Sequence, residues 1–237
     1  MKMQFGTVDQ FLNEKNTRVS SLQLLFKQKI VSAQVAKQIT NKLQQFKYLK
    51  YLEVDMSENP QLCYYGLSQF GDSIKLQMNL TTLELNMKNG FMNSYQVIEF
   101  LNQVKQCTSI TTMTLNLRAN FISEDVKDLA CVISQFQNLK TLNLDLSGNS
   151  ISPQSAANLG KELSNCQNLQ HLSLNLQFNW IQDQGAIKLC QWLSNCKNLL
   201  SLHLDISNKN EVSQQNKKQL TKKLFKSKQF LTYKIIL

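Results

Sequence analysis

Long apolar runs are missing from this sequence. None approaches the roughly 18–20 residues needed to cross a bilayer, which excludes insertion as a helical bundle. Residues 1–18 lack the apolar stretch of a secretory signal, and Asp9 and Glu14 argue against a mitochondrial presequence. The reading is an intracellular, cytoplasmic protein. Histidine is scarce too: with two histidines and six cysteines but no CxxC pair, a Cys/His zinc site is not expected. At 237 residues the chain is not a small disulfide-stapled domain, so the cysteines read as reduced, buried thiols. The signatures GxxxxGK[ST], GxSxG and HExxH are all lacking. His171 and His203 form the one histidine constellation, with Asp205 nearby, but it lacks a nucleophile, an oxyanion donor and an enclosing pocket. Neither an enzyme nor a cofactor or metal site is expected.

What the chain has is a repeat. The segments LKYLEVDMSEN (49–59), LTTLELNMKNG (80–90), ITTMTLNLRAN (110–120), LKTLNLDLSGN (139–149), LQHLSLNLQFN (169–179) and LLSLHLDISNK (199–209) align without gaps. Each starts with an apolar residue and repeats apolar residues at offsets 3, 5 and 7. An earlier copy begins at Val19 and a truncated one at Phe230, and successive starts lie 29 to 31 residues apart. The alternating part predicts a half-buried strand. The remainder predicts a helix, because Ile39, Phe70, Phe100, Leu129, Leu159, Leu189 and Leu220 each precede another apolar residue by four positions. Small or apolar residues one turn earlier, from Ala36 and Leu67 to Ala186, widen that stripe, and Ser152-Pro153 reads as a cap ahead of a first-turn proline. A lone strand and helix cannot bury both inner faces, so the units must stack with like positions in register.

The pattern LxxLxLxLxxNxI, as in LKTLNLDLSGNSI (139–151), resembles the leucine-rich repeat signature, and the helix that follows resembles the ribonuclease-inhibitor-like class. The resemblance covers residues 19–237. It implies an α/β horseshoe solenoid with a parallel concave sheet of about eight strands and outer helices. Seven repeats plus a truncated terminal strand are expected behind a capping segment, residues 1–18, with Phe5, Val8 and Leu12 at helical spacing. The family's asparagine, which hydrogen-bonds neighbouring loop backbone, stands at Asn59, Asn120, Asn149 and Asn179. It is replaced by Lys29, Gly90 and Lys209, where looser turns are expected. The richness in Asn, Gln and Lys is similar to arrays of ciliated protists, which adds a ciliary axoneme or a mitochondrial assembly as alternative locations.

Four surfaces are candidates for binding. The concave face begins acidic, with Tyr51, Glu53, Asp55 and Glu84, and later carries His171 and His203; it suits a polar or basic partner or is a solvated sheet. Phe91, Phe121 and Trp180 directly follow the asparagine position, with Phe178 nearby. They form either an exposed contact ridge or rings lying flat over the turns. The C-terminal residues 208–237 hold eight lysines against one acid, and Lys217, Lys218, Lys222 and Lys223 give the last helix a basic face for an acidic surface. Aromatic residues interleaved for base stacking are lacking there, so nucleic acid is the lesser reading. Lastly, Lys234-Ile235-Ile236-Leu237 falls in mid-repeat, where an apolar edge strand invites cover by another subunit.

The functional expectation is a non-enzymatic scaffold or adaptor, a structural subunit of a larger assembly, with other proteins as partners. The rivals are a GTPase-activating regulator acting through Arg118, one of two arginines, and an RNA-binding accessory protein.

Overall fold

The computed structural model describes residues 1–27, 32–59, 66–226 and 232–236, with the backbone alone for residues 33, 221–226 and 233. Strands and helices alternate along the chain. They are β1 (Lys2–Phe5), α1 (Val8–Asn13), β2 (Ser21–Leu25), α2 (Ala33–Leu43), β3 (Tyr51–Asp55), α3 (Leu67–Ile74), β4 (Thr82–Asn86) and α4 (Ser94–Val104). There follow β5 (Thr112–Asn116), α5 (Val126–Ser134), β6 (Thr141–Asp145), α6 (Pro153–Leu163), β7 (His171–Asn175), α7 (Gln182–Leu193), β8 (Ser201–Asp205), α8 (Gln214–Lys226) and β9 (Thr232–Ile236).

The described residues form one open, parallel sheet whose spatial order is the chain order, β1 to β9. Register follows the repeat: Ser21, Tyr51, Thr82, Thr112, Thr141, His171, Ser201 and Thr232 pair in one line across the sheet. Offsets 3, 5 and 7 are buried against the helices, as at Leu142, Leu144 and Leu146. The helix stripe closes the same core, with Ala156, Leu159 and Leu163 buried. Each such Leu contributes about 1.5–3 kcal/mol of gross stabilisation. The expected cap on α6 is present, with Ser152 Oγ accepting from Ser155 N and Pro153 in the first turn.

The N-terminal segment departs from expectation. Residues 2–5 form a ninth strand rather than part of a helix, pairing Lys2 with Ser21 through Phe5 with Leu24. Phe11, not Val8 or Leu12, is the fully buried residue of α1, and it packs on Phe5 (5.6 Å between ring centroids) and Phe46 (5.6 Å). The segment KMQF alternates for four residues alone, with Met3 and Phe5 on the inner face, too short a pattern to read as a strand. At the other end β9 lies where the truncated copy was expected, although Phe230 is outside the described residues.

The closest helix packing is between α6 and α7, and two glycines permit it. A Cβ at Gly185 would stand 2.8 Å from Pro153 Cα, and one at Gly160 would stand 3.1 Å from Leu189 Cα. Among the described residues no helix is long and apolar enough to cross a membrane.

Candidate protein-binding surface

The turns that leave the strands are built around a ladder of buried asparagines. Asn179 Nδ2 donates to the carbonyls of Leu146 (3.1 Å), Leu176 (2.9 Å) and Gln177 (3.2 Å), while its Oδ1 accepts from Asn149 N (3.0 Å) and Ile151 N (2.9 Å). Asn149 and Asn120 repeat the arrangement one and two units earlier. The last full unit corrects the expectation of a loose turn at Lys209. One inserted residue moves the role to Asn210, whose Nδ2 reaches Leu176 O (2.8 Å) and Ile206 O (3.0 Å) and whose Oδ1 takes Ile181 N (3.3 Å). Gly90 is buried at the same point in its own turn, and Lys29 is outside the described residues.

This ladder decides which way the aromatic residues face. The asparagine, or Gly90 in its own unit, is buried, and the residue two further on, Met92, Ile122, Ile151 or Ile181, turns inward to the core. The residue between them is forced outward. Phe91 is 64% exposed, Phe121 62% and Trp180 52%, with Phe178 at 41%. Of the two arrangements open to the sequence, the rings form the exposed ridge. Phe91 and Phe121 contact each other at 6.1 Å with a 45° tilt. Ser150 holds the equivalent outward position between Phe121 and Trp180, dividing the ridge into two clusters.

Backbone conformation sharpens the point. Glu58, Asn89, Ala119, Gly148, Phe178 and Asn208 form a column at φ between 53° and 66°. The N–H groups of the first five run to the next repeat, as Asn89 N to Arg118 O (3.0 Å) and Phe178 N to Asn208 O (3.0 Å). Left-handed backbone suits Gly and Asn, and other residues pay about 1–2 kcal/mol for it. Phe178 (φ 55°) and Phe91 (φ 55°) occupy such positions while leaving their rings exposed. Folding alone gives no reason for phenylalanine there.

The other candidates are spread more widely. On the open face, Glu53 accepts from Tyr51 Oη (2.8 Å) and from Gln23 Nε2. Burial first, then this bond and the charge of Glu84, raises the Tyr51 phenol far above its ordinary range. Asp55 Oδ1 is occupied by Ser57 N (2.9 Å), and Asp145 and Asp205 hold their own turns in the same way. Asn175 Nδ2 bonds Asp145 Oδ2 (3.0 Å), and Asn143 Nδ2 bonds Thr114 Oγ1 (3.1 Å). Much of this polar face is therefore used internally, strand to strand. His203 Nδ1 is 3.5 Å from Ser173 Oγ, whereas His171 is exposed one strand away. No group of three metal-ligating side chains occurs among the described residues. On α8, Lys217 is half-buried and Lys218 exposed, while the side chains of Lys222 and Lys223 lie outside the described residues. Arg118 is exposed and, among the described residues, its guanidinium has no ion-pair partner.

Sequence reasoning missed three features. Gln77 is a buried polar member of the column containing Phe46, Cys107, Phe136 and Cys196, and Cys166 in that column is only half-buried. Burial pushes the Cys166 thiol up to about 12 and Cys196 to about 11. A second ladder runs along the opposite edge, with Asn138, Asn168 and Asn198 donating to Thr108 O (2.8 Å), Gln137 O (2.6 Å) and Gln167 O. The recurrent Asn-Leu ahead of each later strand was its visible signal. Finally, Lys88 stands in the turn of Phe91 just as Arg118 stands in that of Phe121.

Strand–turn–helix units stacked in one parallel sheet over an asparagine ladder define a leucine-rich repeat solenoid. No family model matches the sequence, and no curated protein matches it. Among solved structures the chain is similar to leiomodin-1 actin-binding site 2, with 14% identity over 78% of this chain and 93% of that one, at a TM-score of 0.48. It is also similar to internalin C2 of Listeria monocytogenes, with 16% identity over 86% of this chain and 84% of that one, at a TM-score of 0.46. Likeness at this level carries no argument about what this chain binds.

Proposed function

We propose that the chain is a non-enzymatic protein-binding scaffold and that the aromatic ridge is its contact surface. The observation that carries this reading is the exposure of Phe91, Phe121, Phe178 and Trp180 on one turn edge, two of them in left-handed backbone. Exposed aromatic residues held on rigid turns match the composition of protein-interface hot spots. The open sheet face has few large side chains and satisfies many of its polar groups internally, which makes it the weaker candidate. In this reading the protein is a subunit of a larger assembly, of the ribonuclease-inhibitor-like subclass. It works in the cytoplasm, where its free cysteines remain thiols.

The test is affinity capture from native extract with the wild type beside a Phe91→Asn/Phe121→Ser/Trp180→Ser variant. The proposal expects a discrete set of proteins on the wild type that the variant loses while keeping its cooperative thermal transition. Equal retention by both would overturn it.

A further inference from the structure

Two cations share the turns that carry the first cluster of the ridge. Lys88 and Arg118 occupy equivalent positions in adjacent turns, each three residues before an exposed phenylalanine, Phe91 or Phe121. Their backbones belong to one ladder, since Lys88 O accepts from Glu58 N (2.9 Å) and Arg118 O from Asn89 N (3.0 Å). Strands in a sheet are about 4.8 Å apart, so the two side chains start from neighbouring rungs at about that spacing. Two turns before Lys88, Lys27 holds the equivalent position and pairs with Glu58 of the intervening turn (3.5 Å). Lys88 and Arg118 have no such pair among the described residues. Acids do occur on the far side of the ridge, where Glu124 and Asp125 lead into α5.

We infer, resting on the ridge as the contact surface, that this cluster receives a segment of a partner protein in which acidic residues flank an aromatic or leucine side chain. The partner's apolar side chain sits on the Phe91–Phe121 pair. Its carboxylates lie toward Lys88 and Arg118, away from Glu124 and Asp125, which sets the direction in which the segment crosses the edge. Charge complementarity selects the sign of the partner, and the two rings supply the contact area. The rings are tilted by 45° and present an edge and a face to a side chain. Successive bases of single-stranded RNA need flat platforms instead, so a peptide is favoured over nucleic acid.

A phage-displayed library of random dodecapeptides, selected on the full chain, tests this. Wild type is compared with Lys88→Glu/Arg118→Glu and with Phe91→Asn/Phe121→Ser, after thermal melts confirm that both variants fold. The proposal expects enriched peptides of net negative charge with Asp or Glu next to Phe, Trp or Leu. Their affinity should fall by roughly tenfold or more on charge reversal, about 1.4 kcal/mol, and the loss should shrink in high salt. Enriched peptides that are neutral or basic, or that depend on the rings but ignore the charge reversal, overturn the acidic partner and leave the ridge standing. Binding that ignores Phe91→Asn/Phe121→Ser, or no enrichment at all, sinks the ridge and this inference together. Displacement of the peptides by polyuridylate would reassign the cluster to RNA and overturn the inference.

Discussion

Replacing Phe91 with asparagine separates what this residue does for folding from what it does for binding. The backbone at position 91 has φ 55°, and the ring is 64% exposed with Phe121 as its aromatic neighbour at 6.1 Å. Asparagine tolerates left-handed backbone far better than phenylalanine, so the exchange relieves strain of about 1–2 kcal/mol. Losing the ring pair removes about 0.5–1.5 kcal/mol. The two effects oppose each other and cancel to within about 1 kcal/mol, which for a domain of this size moves the Tm by no more than about 4 °C. Differential scanning calorimetry of Phe91→Asn beside the wild type reads this directly. A control such as Phe100→Ala, in the fully buried stripe of α4, should lose about 3–5 kcal/mol. If Phe91→Asn proved as damaging as that control, the ring would be a lid on the core, and the reasoning that assigns it to binding would be wrong.

Other perturbations probe the scaffold. Asn179→Ala removes the side chain from three carbonyls and two amides at the buried ladder and should destabilise by about 3 kcal/mol or more in urea titration; a neutral result would mean the ladder is incidental. Gly185→Ala forces a methyl against the Pro153 backbone at 2.8 Å, and equilibrium unfolding should show a loss of about 1–3 kcal/mol, whereas unchanged stability would deny the close approach of α6 and α7. Burial raises the Cys166 and Cys196 thiols to about 12 and about 11, so the unfolded chain ionises first as pH rises. Stability attributable to these thiols is therefore complete below the ordinary thiol range and declines from about pH 9 up to the raised values. The Cys166→Ala/Cys196→Ala variant should flatten the alkaline limb of a Tm-against-pH curve, and an unchanged limb would refute the assignment.

The core was legible because its period is long and strict. Seven apolar columns recurred at the same offsets, and pairing in register left no other way to bury them. β1 was not legible, because Lys2–Phe5 has only two apolar residues and belongs to a unit without the repeat's flanking signature. The asparagine of the last full unit was read one residue early at Lys209, since a single insertion preserves the carbonyl contacts of Asn210 but breaks the alignment. Among the candidate site residues, spacing showed that Phe91, Phe121 and Trp180 share an edge. It could not show whether the rings point out or lie flat, because that depends on the inward turns of the residues on either side. Nor could spacing separate Asp55 as a contact residue from Asp55 as a turn cap, because both roles put a carboxylate at the strand's end.

Site-specific photo-crosslinking tests the central claim most directly. p-Benzoylphenylalanine is placed at position 121 on the ridge and, in a second protein, at position 127 on the exposed side of α5. Irradiation in native extract should yield a discrete crosslinked band from position 121 and none from position 127. Crosslinks from the helix position alone, or indiscriminately from both, would contradict an account in which the partner sits on the aromatic edge.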